Sequence, residues 1–132
     1  MKTNLDKFFK TNNVLESEGV DFLIDETTSF KIRRFVNTNP KVKEAMAAYY
    51  KPYAKQDQLG TLPVEKSNEI SMKLFVDCCL VSWKGVMDDS GKDIECNKEN
   101  ALNLFKRLPD LFETLWKHAN SFENYKEELG NS

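Results

Sequence analysis

The chain has 132 residues, 40% of them hydrophobic and 30% charged, with a formal net charge of −2. That length favours one domain with room for a real core, and that charge excludes a generally basic nucleic-acid coat. No apolar run nears the ~20 residues of a membrane helix and no signal-peptide pattern opens the chain, while three cysteines and one histidine are too few for a disulfide framework and fit a reducing compartment.

Taken in order, Thr3 to Thr11 predict a short helix, with Thr3 as cap, Asp6 in the first turn, and Leu5, Phe8 and Phe9 on one face. Asn12, Asn13 and the acidic stretch after them read as a loop. Val20, Phe22 and Ile24 alternate with Asp21 and Asp25, as Phe30 and Ile32 do with Lys31 and Arg33, and Asp25 to Ser29 fits the turn of a hairpin between them. Asn39 is a good N-cap and Pro40 a good first helical residue, because its missing N–H has no partner there anyway. The helix that follows carries Val42, Ala45, Met46, Tyr49, Tyr50 and Tyr53 at helical spacing, and Pro52 predicts a kink or early end. Gln56 to Thr61 is a linker.

A long helix is expected from about Pro63 to Trp83. Its two apolar stripes are Ile70, Leu74, Cys78, Val81 and Met72, Val76, Leu80, Trp83, with Gly85 as its C-terminal glycine. Asp88 to Lys92 is a turn. Asn97 caps a fourth helix with Ala101, Leu104, Phe105 and Leu108. Pro109 starts a fifth with Leu111, Phe112, Leu115, Trp116 and Ala119. The expected fold is mainly α within the α+β class: about five helices, one short N-terminal β-hairpin at about 20–35, and a single domain over 1–122. Residues 123–132 read as a polar, frayed tail.

Charge is blocked along the chain. Leu15 to Ser29 contains five acids and no base, whereas Phe30 to Lys55 contains seven bases and one acid. Either the blocks pair head to tail between copies, or neighbouring elements of one chain satisfy each other.

No catalytic constellation can be assembled, so the expectation is a protein that is not an enzyme and needs no cofactor. His118 has no sequence-near partner on its helical face and reads as a solvated helix-end histidine favouring the dipole. Cys78 and Cys79 are adjacent, about 100° apart on a helix, which is not the spacing of a zinc or redox pair, and adding Cys96 makes only an improvised ligand set. Aligning Gly91 with the glycine of a calcium loop puts Val86 at the first ligand position and Asn97 at the last, so calcium is rejected. The basic residues near Phe30 and Phe35, and near Tyr49, Tyr50 and Tyr53, could bind single strands. The tyrosines lie on an apolar stripe, however, so a nucleic-acid role is the weakest of the binding readings.

Several spaced elements are familiar together. They are Leu5-Asp6-Lys7-Phe8-Phe9, Phe30-Lys31-Ile32-Arg33-Arg34, Asn37-Thr38-Asn39-Pro40-Lys41, Lys51-Pro52-Tyr53 and Gly60-Thr61-Leu62. Trp83-Lys84-Gly85-Val86, Lys98-Glu99-Asn100-Ala101 and Leu108-Pro109-Asp110-Leu111-Phe112 complete the series. In order and spacing the chain resembles the short form of the tail assembly chaperones of tailed bacteriophages with long non-contractile, lambda-like tails. The resemblance runs from about Leu5 to Phe122. Val36, Lys84 and the Cys78-Cys79 pair depart from the pattern.

The resemblance implies a non-enzymatic role in the host cytoplasm. The partners it implies are the tape measure protein and the major tail tube protein, with self-association into rings or spirals, no membrane, and absence from the mature virion. Candidate binding residues are Arg33, Arg34 and Lys41 in the basic block and Phe112 and Trp116 on the fifth helix. The alternatives are a neck or head–tail joining protein of a phage and, behind it, a nucleic-acid-binding regulator.

Overall fold

A computed structural model describes residues 2–127. Two short helices open the chain, α1 (Asp6–Phe9) and α2 (Asn13–Glu18). Asn12 caps α2, its Oδ1 accepting from the amides of Val14 at 2.8 Å and Leu15 at 3.2 Å. The acidic stretch expected as a loop is therefore helical at its start. Strands β1 (Val20–Leu23) and β2 (Ser29–Ile32) follow and pair antiparallel, Phe22 opposite Phe30. Helix α3 (Pro40–Tyr50) starts at Asn39, whose side chain accepts from the Lys41 amide at 2.9 Å. It passes through a 3-10 turn at Lys51–Tyr53, where Pro52 sits, into α4 (Ala54–Gln58), part of the stretch expected as linker.

The largest difference from the sequence expectation lies next. Helix α5 (Val64–Cys78) stops before Cys79, and Leu80–Lys84 forms a third strand, β3, antiparallel to β2. The sheet order is β1-β2-β3, with a bulge between Lys31 and Ile32. A mainly helical domain with one lone hairpin is thus incorrect: among the described residues the architecture is seven α-helices around a three-stranded antiparallel sheet. The physical reason is that Leu80-Val81-Ser82-Trp83 is rich in residues that suit a pleated surface and fits either period over so short a run. Tertiary contacts decide it. The Arg33 amide donates to the Cys79 carbonyl at 2.8 Å, the Trp83 ring meets Phe30 edge-on at 5.9 Å, and its Nε1 donates to the Ile94 carbonyl at 2.8 Å.

Gly85 accordingly does not close a helix. Its φ is +76°, and a Cβ there would run into the Thr27 carbonyl and lie 2.9 Å from Thr28 Oγ1, so β3 leaves the sheet pressed against the β1–β2 turn.

Helices α6 (Lys98–Arg107) and α7 (Pro109–Asn120) complete the core. Asn97 caps α6, accepting from the Asn100 amide at 2.8 Å. Phe75 of α5, Phe105 of α6 and Phe112 of α7 meet with ring centroids 5.5 to 5.8 Å apart, and Trp116 stacks on Phe112. Phe30 and Ile32 of β2 close this cluster from the sheet side. Three wholly buried Phe rings facing one another supply several kcal/mol each through burial alone.

The chain after α7 is not frayed where it is described. Phe122–Tyr125 form a 3-10 turn, Tyr125 is buried with its hydroxyl donating to the Ile32 carbonyl at 3.0 Å, and Lys126 bridges Thr11. The rest of the expected tail, 128–132, lies outside the described residues.

Candidate functional site

The two charge blocks meet within one chain. Arg34 Nη1 lies 3.0 Å from Glu16 Oε2, both side chains mostly buried. Asp21 faces Lys31 across the β1–β2 pair. Arg33 Nε donates to the Ser17 carbonyl at 2.7 Å. Where α2 crosses the end of β2, then, the acidic and basic stretches largely neutralise each other, as neighbouring elements of one fold do.

A basic remainder is gathered at a concavity of about 210 Å³ between α2, the end of β2 and the first turn of α3. Arg33, Arg34 and Lys41, three of the five candidate residues, line it, with Glu16 as the counter-charge. Lys41 makes no ion pair among the described residues. The first turn of α3 holds no acid, so its exposed amides add partial positive charge. Three cations against one carboxylate favour an anionic group. Cys78 also lines the concavity, and burial, reinforced by Asp77, raises its thiol pKa so that it stays protonated at neutral pH.

The other two candidates are not brought to this place. Phe112 is 2% exposed and belongs to the core; Trp116 is half-buried between Phe112 and Phe35, whose ring centroid is 4.7 Å away. The apolar stripe of α7 is occupied by its own fold. So is the second stripe expected on the long helix, because Leu80 and Trp83 belong to β3 and pack against the core with Met72 and Val76.

Elsewhere, Lys98 reaches Asp77 Oδ1 at 3.1 Å and the Tyr49 hydroxyl at 3.1 Å, and Tyr49 itself donates to Asp77. The three tie α3, α5 and α6 together, and desolvation with the Asp77 hydrogen bond holds the Tyr49 phenol above its ordinary pKa. His118 is 8% exposed, set edge-on between Phe22 and Tyr125, with Nε2 unpartnered. It is a core histidine rather than a solvated helix end, and burial pushes its pKa down. Cys79 is fully buried and its thiol pushed far up by desolvation. Among the described residues no three of His, Cys, Asp and Glu converge on one point, and no helix is long and apolar enough to cross a membrane.

Sequence reasoning missed the apolar residues that stay outside. Leu5, Phe8 and Phe9 on α1, and Leu23 and Ile24 at the end of β1, are all exposed. The available signals were length and phase. One turn of helix cannot cover itself, and Leu23 falls on the opposite face of β1 from Val20 and Phe22.

No curated protein and no solved structure matches the chain. The family model described as YdaY prophage protein matches residues 37–131, from the approach to α3 onward, and so includes Lys41, Phe112 and Trp116 but neither Arg33 nor Arg34. A match over well over half of the sequence, running through the whole helical core, places the chain in a family of phage origin: it belongs to the YdaY prophage proteins.

Proposed function

We propose that this prophage protein is a tail assembly chaperone that binds the tape measure protein and tail tube subunits during tail morphogenesis, in the host cytoplasm, without catalysing a reaction. The observation that carries the reading is the ordered series of short elements from Asn37 to Phe112 that resembles such chaperones, all of it inside the stretch matched by the prophage family. Two features support it. Leu59 and Val64 stand exposed on either side of the Gly60-Thr61-Leu62 element, giving an apolar turn that can cover part of an apolar helix. The concavity at Arg33, Arg34 and Lys41 offers positive charge to acidic side chains flanking such a helix. The raised thiol pKa values of Cys78 and Cys79 and the burial of His118 suit a role in packing for these three side chains.

The test is co-expression with the tape measure protein of the same prophage. A soluble complex, and absence of the chain from purified particles, is the expected result. The chain found in finished particles at fixed stoichiometry would establish a neck or head–tail joining component instead. DNA binding that weakens steeply with salt would establish a regulator.

A further inference from the structure

The sheet ends differently on its two sides. Beyond β3 the chain folds back along the strand: the Ile94 amide donates to the Val86 carbonyl at 2.9 Å, and the Ile94 carbonyl accepts from Trp83 Nε1. The other outer strand is β1, whose one neighbour in the sheet is β2. The Ile24 amide donates to the Thr28 carbonyl at 2.9 Å, and Phe22 and Val20 stand opposite Phe30 and Ile32. Every second residue of an antiparallel pair bonds across it. Val20, Phe22 and Ile24 therefore direct their main-chain groups at β2 and its turn, while the N–H and C=O of Asp21 and Leu23 point away from the sheet. These outward groups have no hydrogen-bond partner among the described residues.

The surroundings of that edge decide what can lie on it. Leu23 is 70% exposed on the outer face of β1. On the opposite face a concavity of about 740 Å³ opens beside Val20, lined by Leu15, Asn124, Glu123 and Lys126 among others, so its apolar wall carries offsetting charges. Asp21 is already met by Lys31, and Asp25 by the Thr27 and Thr28 amides at 2.8 Å each. Glu18 and Glu26, at the two ends of the strand, are exposed and make no ion pair among the described residues. A second copy does not suit this edge, because β1 laid on β1 would set Glu18, Asp21, Asp25 and Glu26 beside the same four acids.

We infer that β1 takes up an extended segment of a partner protein as a fourth strand, one in which apolar and basic residues alternate. Its main chain pairs with the free groups of Asp21 and Leu23. Its apolar residues face the concavity beside Leu15 and Val20. Its bases lie on the outer face, their stems over Leu23 and their charges toward Glu18 and Glu26. The inference does not depend on the tail-assembly reading, and the strand lies before the stretch matched by the prophage family.

The probe is a peptide of alternating valine and lysine, about eight residues long, added to the full chain labelled with nitrogen-15. In the free protein the Asp21 and Leu23 amides should exchange quickly with solvent while those of Phe22 and Ile24 are protected. At saturation the peptide should slow exchange at Asp21 and Leu23 by about tenfold or more and shift the β1 resonances. A peptide of alternating valine and glutamate should bind about tenfold more weakly or worse. Leu23→Pro removes one outward donor and spares the bonds to β2, so it should weaken binding by about tenfold or more, and Leu23→Ala by less. If Leu23→Pro melts early, the valine–lysine peptide methylated on its main-chain amides replaces it and should not bind. Four results would each overturn the proposal: no change at β1 at millimolar peptide, equal binding of both peptides, or binding indifferent to Leu23→Pro or to the methylated amides. The fourth is protection of the Asp21 and Leu23 amides that grows with protein concentration alone, which would make the occupant a second copy.

Discussion

Helices α1 and α7 carry the same kind of apolar spacing and meet opposite fates. Leu5, Phe8 and Phe9 share a face, and so do Phe112, Leu115, Trp116 and Ala119. Yet α1 buries nothing, while α7 buries Phe112, Leu115, His118 and Ala119. The spacing says which residues point the same way; it does not say that anything lies opposite. For α7 twelve residues span three turns, with β2 on one side and the aromatic rings of α5 and α6 on the other. For α1 four residues make one turn, none of them buried, and Phe9 meets the Phe122 ring at 5.5 Å. A face becomes core when it is long enough to pay for its ordering and when the chain returns over it.

The contrast can be broken at its strong end first. Phe112→Ala should cost about 3–5 kcal/mol, because three aromatic neighbours cannot collapse into the space together. Urea unfolding measures it, and a loss below about 1 kcal/mol would show that α7 is no more fixed than α1. Next comes Gly85→Ala. The added methyl meets the Thr27 carbonyl and the backbone stays at positive φ, so about 2–4 kcal/mol should be lost, again read by urea unfolding. A neutral result would mean that the end of β3 is as loosely attached as α1.

A smaller effect tests the burial of α7 through protons. The His118 imidazole resists protonation in the fold, so the unfolded chain takes up a proton first as the pH falls. Above the ordinary value of 6.5 this residue adds no pH dependence; below it, stability should decline until the pH passes the folded value. His118→Phe, which keeps a ring between Phe22 and Tyr125, should flatten that acid limb in thermal melts across pH. Smallest of all, Phe8→Ser on α1 should change stability by no more than about 0.5 kcal/mol. A loss above about 2 kcal/mol would place α1 with the core and remove the contrast.

The local signals were readable from the residues. Asn39-Pro40 and Asn97 mark helix starts because a cap works through amides two or three residues away. Asn12 gives the same signal, and it was obscured by the acids after it. What could not be read depends on partners far along the chain. Leu80 to Trp83 satisfies helical and strand spacing alike until β2 lies beside it. Tyr125 looks like part of a polar tail until its hydroxyl finds the Ile32 carbonyl, 93 residues away. The candidate site divides in the same way. Arg33, Arg34 and Lys41 stood out by charge and do share one concavity, but that Glu16 neutralises Arg34 follows only from the crossing of α2 and β2. Phe112 and Trp116 stood out by size, and size is also what fills a core.

The clasp between Lys10–Asn12 and Tyr125–Glu127 has a topological consequence. The Asn12 amide donates to the Tyr125 carbonyl at 2.8 Å, the Glu127 amide to the Lys10 carbonyl at 3.0 Å, and Lys10 and Glu127 pair at 3.2 Å. The stretch from Lys10 to Glu127 is therefore almost a closed loop, whose two ends lie side by side like neighbouring strands. A circularly permuted chain, joined there by a short glycine-rich linker and opened at Gly60, where an added Cβ meets nothing within 4 Å, should rebuild the same sheet and aromatic core.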